Sequence, residues 1–375
     1  MINGNKINKN SETPKILIAP LDWGLGHATR FIPIINELIS QNCEVIIAAG
    51  GSSFSLLKKE FPALVFVRIK GYNIKYSRNK RWMPLKLLFQ SPKIIFLILK
   101  ENRQLKKIRR DYKIDAVVSD NRFGMYHKSL PSIYITHQLL IKTGNSFTEK
   151  VLLKLHYYFI KKYSNCWVPD SKEKGLAGNL SHPINLPPNT IYIGPLSRFK
   201  KKDNISTVYD ILISISGPEP QRSVFEKIML EQIKKTSKKI LFVRGLPDEN
   251  KGLINPSKNI KIANHLTAEE LNMAFQQSEI VICRSGYTTI MDLIKINKRA
   301  VLIPTPGQTE QEYLANYLKE KKYFYSVDQN NFSFDEDIGS AIYFSPPDEK
   351  IYMDEYKKVI TEFVQSLKSV NFAPQ

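Results

Sequence analysis

The residues best suited to chemistry lie in Cys283-Arg-Ser-Gly-Tyr-Thr-Thr-Ile-Met-Asp292. The apolar run Ile280–Ile282 before it reads as a buried strand, Arg284-Ser285-Gly286 as a tight turn, and Thr288 onward as a helix. A glycine turn feeding a helix start offers free backbone N–H groups and a positive dipole end to a phosphate. Asp292 stands four residues after Thr288, one turn along the same face, where its carboxylate could accept hydrogen bonds from ribose hydroxyls. An ordinary strand–turn–helix with a solvated Asp fits the same residues, because single phosphate-loop patterns also arise by chance.

Three further loops carry similar potential. Leu21-Asp-Trp-Gly-Leu-Gly-His27 has Gly24 and Gly26, which permit close backbone approach, and sets His27 at a helix mouth. A His there can take a proton near neutral pH, or it can simply cap and pack. The loop is not a dinucleotide fingerprint: its third position is Thr29, and the second strand ends at Ala49-Gly50 without an acid for an NAD ribose. Ser216-Gly217-Pro218 is a second phosphate-type turn, with Arg222 in the helix after it and Arg244 at the end of the next strand. The two arginines could hold a diphosphate bidentately, or be surface charges. In Pro304–Glu312, the side chains of Gln308, Gln311 and Glu312 have the donors and acceptors that sugar hydroxyls need, although such residues also cap helix starts.

These loops require a scaffold of alternating strands and helices, and the hydrophobic pattern supplies it. Lys15–Pro20, Val45–Ala49, Leu64–Ile69, Ala116–Ser119, Ser132–Thr136 and Cys166–Val168 read as strands, and Phe31, Ile34, Ile35 and Leu38 mark a helix by their i, i+3, i+4, i+7 spacing. After Tyr192-Ile-Gly-Pro195 the pattern breaks, then restarts with strands at Asp210–Ser216, Ile240–Arg244, Asn259–Ala263, Ile280–Arg284, Ala300–Pro304 and Tyr323–Val327. Thr267-Ala-Glu-Glu270 is a capping box. The fold class expected is α/β: two doubly wound Rossmann-like domains facing a central cleft at the carboxyl ends of their strands. The expected boundaries are a disordered leader 1–14, an acceptor-side domain 15–197, a linker 198–209, a donor domain 210–347, and a C-terminal helix and tail 348–375.

Bulk properties narrow the partners. No apolar stretch approaches the roughly 20 residues of a membrane span, and the polar start has no signal-peptide core. Cys43, Cys166 and Cys283 have no zinc spacing and read as reduced core residues of a cytoplasmic protein. The net charge of +20 favours an anionic partner, unless it reflects only a lysine-rich proteome. Between Arg68 and Lys113 basic residues interleave with apolar ones, with Trp82 at the edge. That pattern suits an anionic bilayer surface better than a nucleic acid, so the expectation is no nucleic-acid partner and a place in the cytoplasm or peripheral on the inner membrane face. The Asp-x-Asp at Asp335–Asp337 reads as a solvated loop, and no metal or cofactor is expected.

Arg284-Ser-Gly-x-Thr-Thr-x-x-Asp292 and Pro304–Glu312, in this order on two such domains, resemble the GT-B glycosyltransferases, and the C-terminal half resembles glycosyltransferase family 28. That family includes the N-acetylglucosaminyltransferase of the lipid-linked peptidoglycan precursor. The resemblance covers most of Lys15–Lys319. It implies that Ser285, Gly286 and Thr288, within the turn begun by Arg284, hold the donor diphosphate, and that Asp292 holds the ribose. His265-Leu266 would clasp the uracil, Gln311 and Glu312 would contact the donor sugar, and His27 would stand on the acceptor side. Asp120, Arg122 and His137 sit after N-domain strands where this fold places acceptor contacts. The sequence departs from the family pattern in having Asp292 for the usual Glu, Glu312 for a second Gln, and Ile-Ser-Gly-Pro-Glu-Pro in the middle loop. The implied reaction moves a hexose or N-acetylhexosamine from a nucleotide diphosphate sugar, with UDP the expected nucleotide, to an acceptor hydroxyl on a membrane lipid or lipid-linked glycan. His27 or Asp120 would be the base, and Arg222 or Arg244 would help hold the departing diphosphate without metal. The alternatives are a non-hydrolysing UDP-sugar epimerase and a non-catalytic anion- or membrane-binding protein.

Overall fold

The computed structural model describes residues 13–22, 25–71, 83–142, 146–173, 175–246, 254–347 and 353–370. Residues 1–12 of the expected leader, Gly24, Arg78–Trp82 of the basic stretch and residues 371–375 of the tail lie outside these. The first half holds β1 (Lys15–Ala19), α1 (Leu25–Thr29), α2 (Phe31–Ser40), β2 (Glu44–Ala49), α3 (Gly51–Glu60), β3 (Val65–Arg68) and α4 (Met83–Tyr112). It continues with β4 (Ala116–Asp120), β5 (Ser132–Ile135), α5 (Ser146–Ile160), β6 (Asn165–Val168) and β7 (Thr190–Tyr192). The seven strands form one parallel sheet in the order β3-β2-β1-β4-β5-β6-β7. Runs such as Ile16–Ala19 and Val45–Ala49 are buried throughout, as a parallel sheet covered on both faces requires.

The second half repeats the plan with β8 (Tyr209–Ser214), α6 (Gln221–Gln232), β9 (Ile240–Val243), β10 (Ile254–Ser257), β11 (Ile260–Ala263), α7 (Ala268–Gln276) and β12 (Ser278–Cys283). After these come α8 (Tyr287–Lys295), β13 (Ala300–Leu302), α9 (Thr309–Glu320), β14 (Tyr325–Ser326), α10 (Phe334–Ala341) and α11 (Glu355–Val370). Its sheet runs β10-β11-β9-β8-β12-β13-β14, parallel except for the antiparallel edge strand β10. Thr267 caps α7 through the expected box with Glu270.

Strand order reverses direction between β1 and β4 in one sheet and between β8 and β12 in the other. In open α/β sheets, ligands settle beyond the carboxyl ends of the strands at such switch points. The loops after β1 and β4, and those after β8 and β12, carry His27, Asp120, Ser216–Gly217 and Ser285–Gly286.

Three features differ from expectation. Met83–Tyr112, the described later part of the basic-apolar stretch, is a single long helix, α4. Asp335–Asp337 is not a solvated loop but the first turn of α10, where the Asp337 carboxylate accepts from Ser333 N at 2.7 Å and Tyr325 OH at 2.8 Å. The C-terminal helix α11 leaves the second sheet and returns to the first. There Tyr356, Ile360, Val364 and Leu367 join the core around α2 and β1, and Phe363 meets Trp167 edge-on at 5.4 Å.

Candidate active site

β1 and β4 are hydrogen-bonded neighbours, with Ala19 opposite Ser119, so the residues that follow them leave the sheet side by side. This brings His27 Nδ1 to 2.9 Å from Asp120 Oδ2 across 93 residues of sequence. Arg30, one turn further along the chain, lies 3.3 Å from the same oxygen. Asn121, in the left-handed region at φ 50°, donates from Nδ2 to Asp120 Oδ1 at 2.9 Å. Burial alone would raise the Asp120 carboxyl, but Arg30 and His27 outweigh it and hold the group below the usual carboxylate range. An ionised Asp120 only accepts, so His27 presents Nδ1–H to it. That leaves Nε2 as the ring atom able to take a proton.

The second sheet supplies the opposite wall. Gly286 is the N-cap of α8 and carries no side-chain cap, so the first-turn N–H groups are not satisfied by it. Thr288 Oγ1 donates to the Gly26 carbonyl at 3.2 Å. A Cβ on Gly26 would stand 3.4 Å from that hydroxyl, an ordinary van der Waals contact. From the first turn of α9, Glu310 Oε1 reaches His137 Nε2 at 2.7 Å, and the His137 ring stacks on Tyr287 at 4.1 Å and 14°. Burial pushes the His137 imidazole below its usual range against the pull of Glu310. Burial would raise Glu310, but His137, Arg30 and His27 outweigh it and keep it low. His27, Arg30, Asp120, His137 and Glu310 thus form one charged cluster between the sheets.

Among the expected donor residues, several spend their polar groups on the protein itself. Ser285 Oγ donates to Gln311 O at 2.9 Å, Gln311 Oε1 accepts from Thr305 N at 2.9 Å, and Glu312 Oε1 accepts from Gly307 N at 2.7 Å. Gln308 is the N-cap of α9. Both oxygens of Asp292, which is 2% exposed, take bonds from the residues joining the two sheets: Ser197 Oγ at 2.7 Å and Arg198 Nε at 3.2 Å. Ser216 and Gly217 sit at the rim after β8, Gly217 at φ 112°, and Leu266 packs against the second core.

Four arginines require correction. Arg284 is 1% exposed and donates to the carbonyls of Ile303, Pro304 and Gln221 and to Gln329 Oε1, with its guanidinium 3.9 Å from the Phe225 ring centroid. Its side chain braces the core rather than offering charge to a diphosphate. Arg222 is neutralised by Glu219 at 2.5 Å and Glu226 at 2.7 Å, and Arg244 by the same Glu226. Arg122, expected on the acceptor side, is fully buried on Glu101 and the Pro20 carbonyl. The sequence reading missed Arg30, Tyr287, Glu310, Ser197 and Arg198. Arg30 lies three residues after His27, on the same side of the chain's first helical turns, and Glu310 lies in a helix's first turn; those were the available signals. Among the described residues, no three His, Cys, Asp or Glu side chains gather as a metal site.

Comparisons with known proteins bear on the family and the fold. The family model described as Glycosyl transferase family 1 matches residues 15–216, and the Glycosyltransferase family 28 C-terminal domain matches residues 221–368. An uncharacterized glycosyltransferase of Methanosarcina acetivorans is 24% identical over 339 residues, covering 82% of this chain and 84% of its own. The UDP-N-acetylglucosamine–N-acetylmuramyl-(pentapeptide) pyrophosphoryl-undecaprenol N-acetylglucosamine transferase of Amoebophilus asiaticus is 23% identical over 323 residues, covering 81% and 83%. Among solved structures, MurG of Acinetobacter baumannii superposes with a TM-score of 0.54 at 13% identity over 94% of this chain and 99% of its own. The spinosyn rhamnosyltransferase SpnG complexed with thymidine diphosphate superposes with 0.60 at 12% over 95% and 96%. At such identities the structures speak for the fold, whereas the family matches span both halves of the chain. The chain belongs to glycosyl transferase family 1 and, with its family 28 C-terminal domain, is a glycosyltransferase of the GT-B fold.

Proposed function

We propose that the protein transfers a hexose or N-acetylhexosamine from a UDP-sugar to a hydroxyl of a membrane lipid or lipid-linked glycan, with His27 as the base and without a metal ion. The observation that carries this reading is the His27–Asp120 pair facing the uncapped start of α8. His27 Nε2 takes the acceptor proton, and Asp120 stabilises the imidazolium that results. The first-turn N–H groups of α8 stabilise the charge that develops on the departing diphosphate. The arginine pair after β8 and β9 is left out of this step because Glu219 and Glu226 already neutralise it. Asp292 serves the ribose by exchanging Ser197 and Arg198 for the two hydroxyls. UDP is preferred because relatives along most of the chain are named for UDP-N-acetylglucosamine. The thymidine diphosphate of a structural neighbour makes dTDP the competitor to test.

The membrane part rests on surface chemistry. Ile95, Phe96 and Leu99 on α4, and Val151, Leu155 and Tyr158 on α5, are exposed. Beyond the apolar part of α4, Lys106, Arg109, Arg110, Lys113 and His127 ring an open pocket. No helix among the described residues is long and apolar enough to cross a membrane. The acceptor-side domain therefore docks peripherally, on the cytoplasmic face where anionic lipids lie.

Thermal-shift titration with UDP, dTDP and GDP, with UDP-N-acetylglucosamine, UDP-glucose and UDP-galactose, and with and without Mg²⁺, tests the donor. A metal-independent rise with UDP and one UDP-sugar is expected, together with UDP release once lipid extract is added. Stabilisation by dTDP alone would replace the nucleotide, and no response to any nucleotide would sink the reading.

A further inference from the structure

We propose that Asn121, Tyr134 and His156 are positioning residues: a one-way hydrogen-bonded chain that orients the Asp120 carboxylate and, through it, the ring of His27. The proposal rests on the reading of His27 as the base. Tyr134 stands on β5 opposite Ser119 of β4, one residue from Asp120, and His156 comes from α5, packed over that face of the sheet. Tyr134 OH lies 3.0 Å from Asn121 Oδ1 and 3.2 Å from His156 Nε2, and Asn121 Nδ2 lies 2.9 Å from Asp120 Oδ1. Including His27, five side chains from the ends of β4 and β5 and from helices α1 and α5 form one continuous path.

The charge on Asp120 fixes the direction of every proton. A carboxylate only accepts, so Asn121 turns its amide nitrogen toward it and its carbonyl toward Tyr134. Tyr134 has one O–H and gives it to that carbonyl, so its oxygen becomes an acceptor and His156 supplies Nε2–H. On the other side of Asp120, the same logic places the proton of His27 on Nδ1. All donors run inward to Asp120, and the reactive nitrogen of His27 is left bare. The left-handed backbone of Asn121 lets one amide reach both neighbours, a conformation Asn tolerates better than most residues.

A purely space-filling role does not explain these residues. Tyr134 is fully buried among Phe123, Tyr163 and His156, with ring centroids 5.0–5.9 Å apart. Phe and Leu would fill such a site without a hydroxyl or an imidazole, whose burial costs free energy unless it is hydrogen-bonded. The pairing achieved here serves one acceptor, Asp120, and locks its second oxygen in the direction of His27.

The test reads the ring of His27 directly in the donor-free protein. With ¹⁵N-labelled histidine, and with His27→Ala to assign the signal, wild-type His27 is expected as the Nδ1–H tautomer. Tyr134→Phe, Asn121→Gly and His156→Leu should each move the ring to a mixed tautomer population. His156→Gln, which keeps an N–H donor, should restore it. Wild-type His27 nitrogen shifts in folded Tyr134→Phe and His156→Leu would overturn the chain. As a second readout, kcat for UDP release from UDP-N-acetylglucosamine should fall about 10- to 100-fold in Tyr134→Phe with KM unchanged, as misorientation at a reacting group does. His27→Ala with full UDP release would instead remove the base assignment, while the tautomer experiment would still decide whether the chain orients Asp120.

Discussion

At the residue scale, His156 shows how a buried neutral group makes stability depend on pH. Burial pushes its imidazole down to about 4, whereas an unfolded chain titrates near its ordinary 6.5. Between these values the unfolded state binds a proton that the folded state refuses, so stability falls as the pH is lowered through 6.5 and levels off below 4. The gap is worth about 3 kcal/mol. Denaturation of wild type and His156→Gln at pH 7 and pH 4.5 should show wild type losing about 2 to 3 kcal/mol more, and equal losses would place the titration elsewhere. The arginines illustrate what a sequence leaves hidden. Arg222 follows a phosphate-type turn and Arg284 opens one, and charge beside such a turn reads as a ligand. Glu226, which claims part of the first charge, lies one turn along the same helix, whereas the Ile303 and Pro304 carbonyls that claim the second come from a distant part of the chain. His27 was legible because glycines and a helix start surround it locally, whereas its partner Asp120 is 93 residues away and depends on the pairing of β1 with β4.

At the element scale, α4 carries the argument for a membrane. Residues 95, 99, 106 and 110 recur at helical spacing, so one face passes from apolar Ile95 and Leu99 to basic Lys106 and Arg110, with Lys113 just past the helix end. The cations crowd one another: burial, Arg109 and Lys106 all push the His127 imidazole below its usual value. A lipid phosphate beside them would relieve that repulsion. Replacing Lys106, Arg109 and Lys113 by Gln removes three charges worth about 1 kcal/mol each near an anionic surface, so partitioning to phosphatidylglycerol vesicles should drop about 100-fold. Unchanged sedimentation with those vesicles would dismiss α4 as the docking face. Strand positions were legible because parallel strands buried on both faces are continuous apolar runs. The 30-residue extent of α4 was not, because Pro84 and Pro92 and alternating charges interrupt any simple period. Edge strand β10 contains Pro256 and a register shift, which removed its alternation signal.

At the scale of the whole molecule, the two sheets touch across their cleft. Thr288 bonds to Gly26, Glu310 to His137, Thr309 to the Lys142 carbonyl and Asp292 to Ser197. Groups expected to meet a donor are therefore already engaged, and under the proposed function a donor enters by exchanging these contacts. Removing both members of the buried His137–Glu310 hydrogen bond, in His137→Ala/Glu310→Ala, avoids leaving an orphan polar group. The variant should widen the cleft in small-angle scattering and tighten UDP binding severalfold, because a larger share of molecules is open. Weaker UDP binding would mean that the pair helps to hold the nucleotide. The return of α11 to the first sheet has a consequence for synthesis. Domains generally fold as units, with the N-terminal one first as it leaves the ribosome. Here a wall of the first-made domain, Tyr356 to Leu367, is translated only after every strand of the second sheet. The apolar surface of α2 must wait, uncovered, through the making of that sheet. During this delay the protein has its greatest exposure to chaperones and to aggregation.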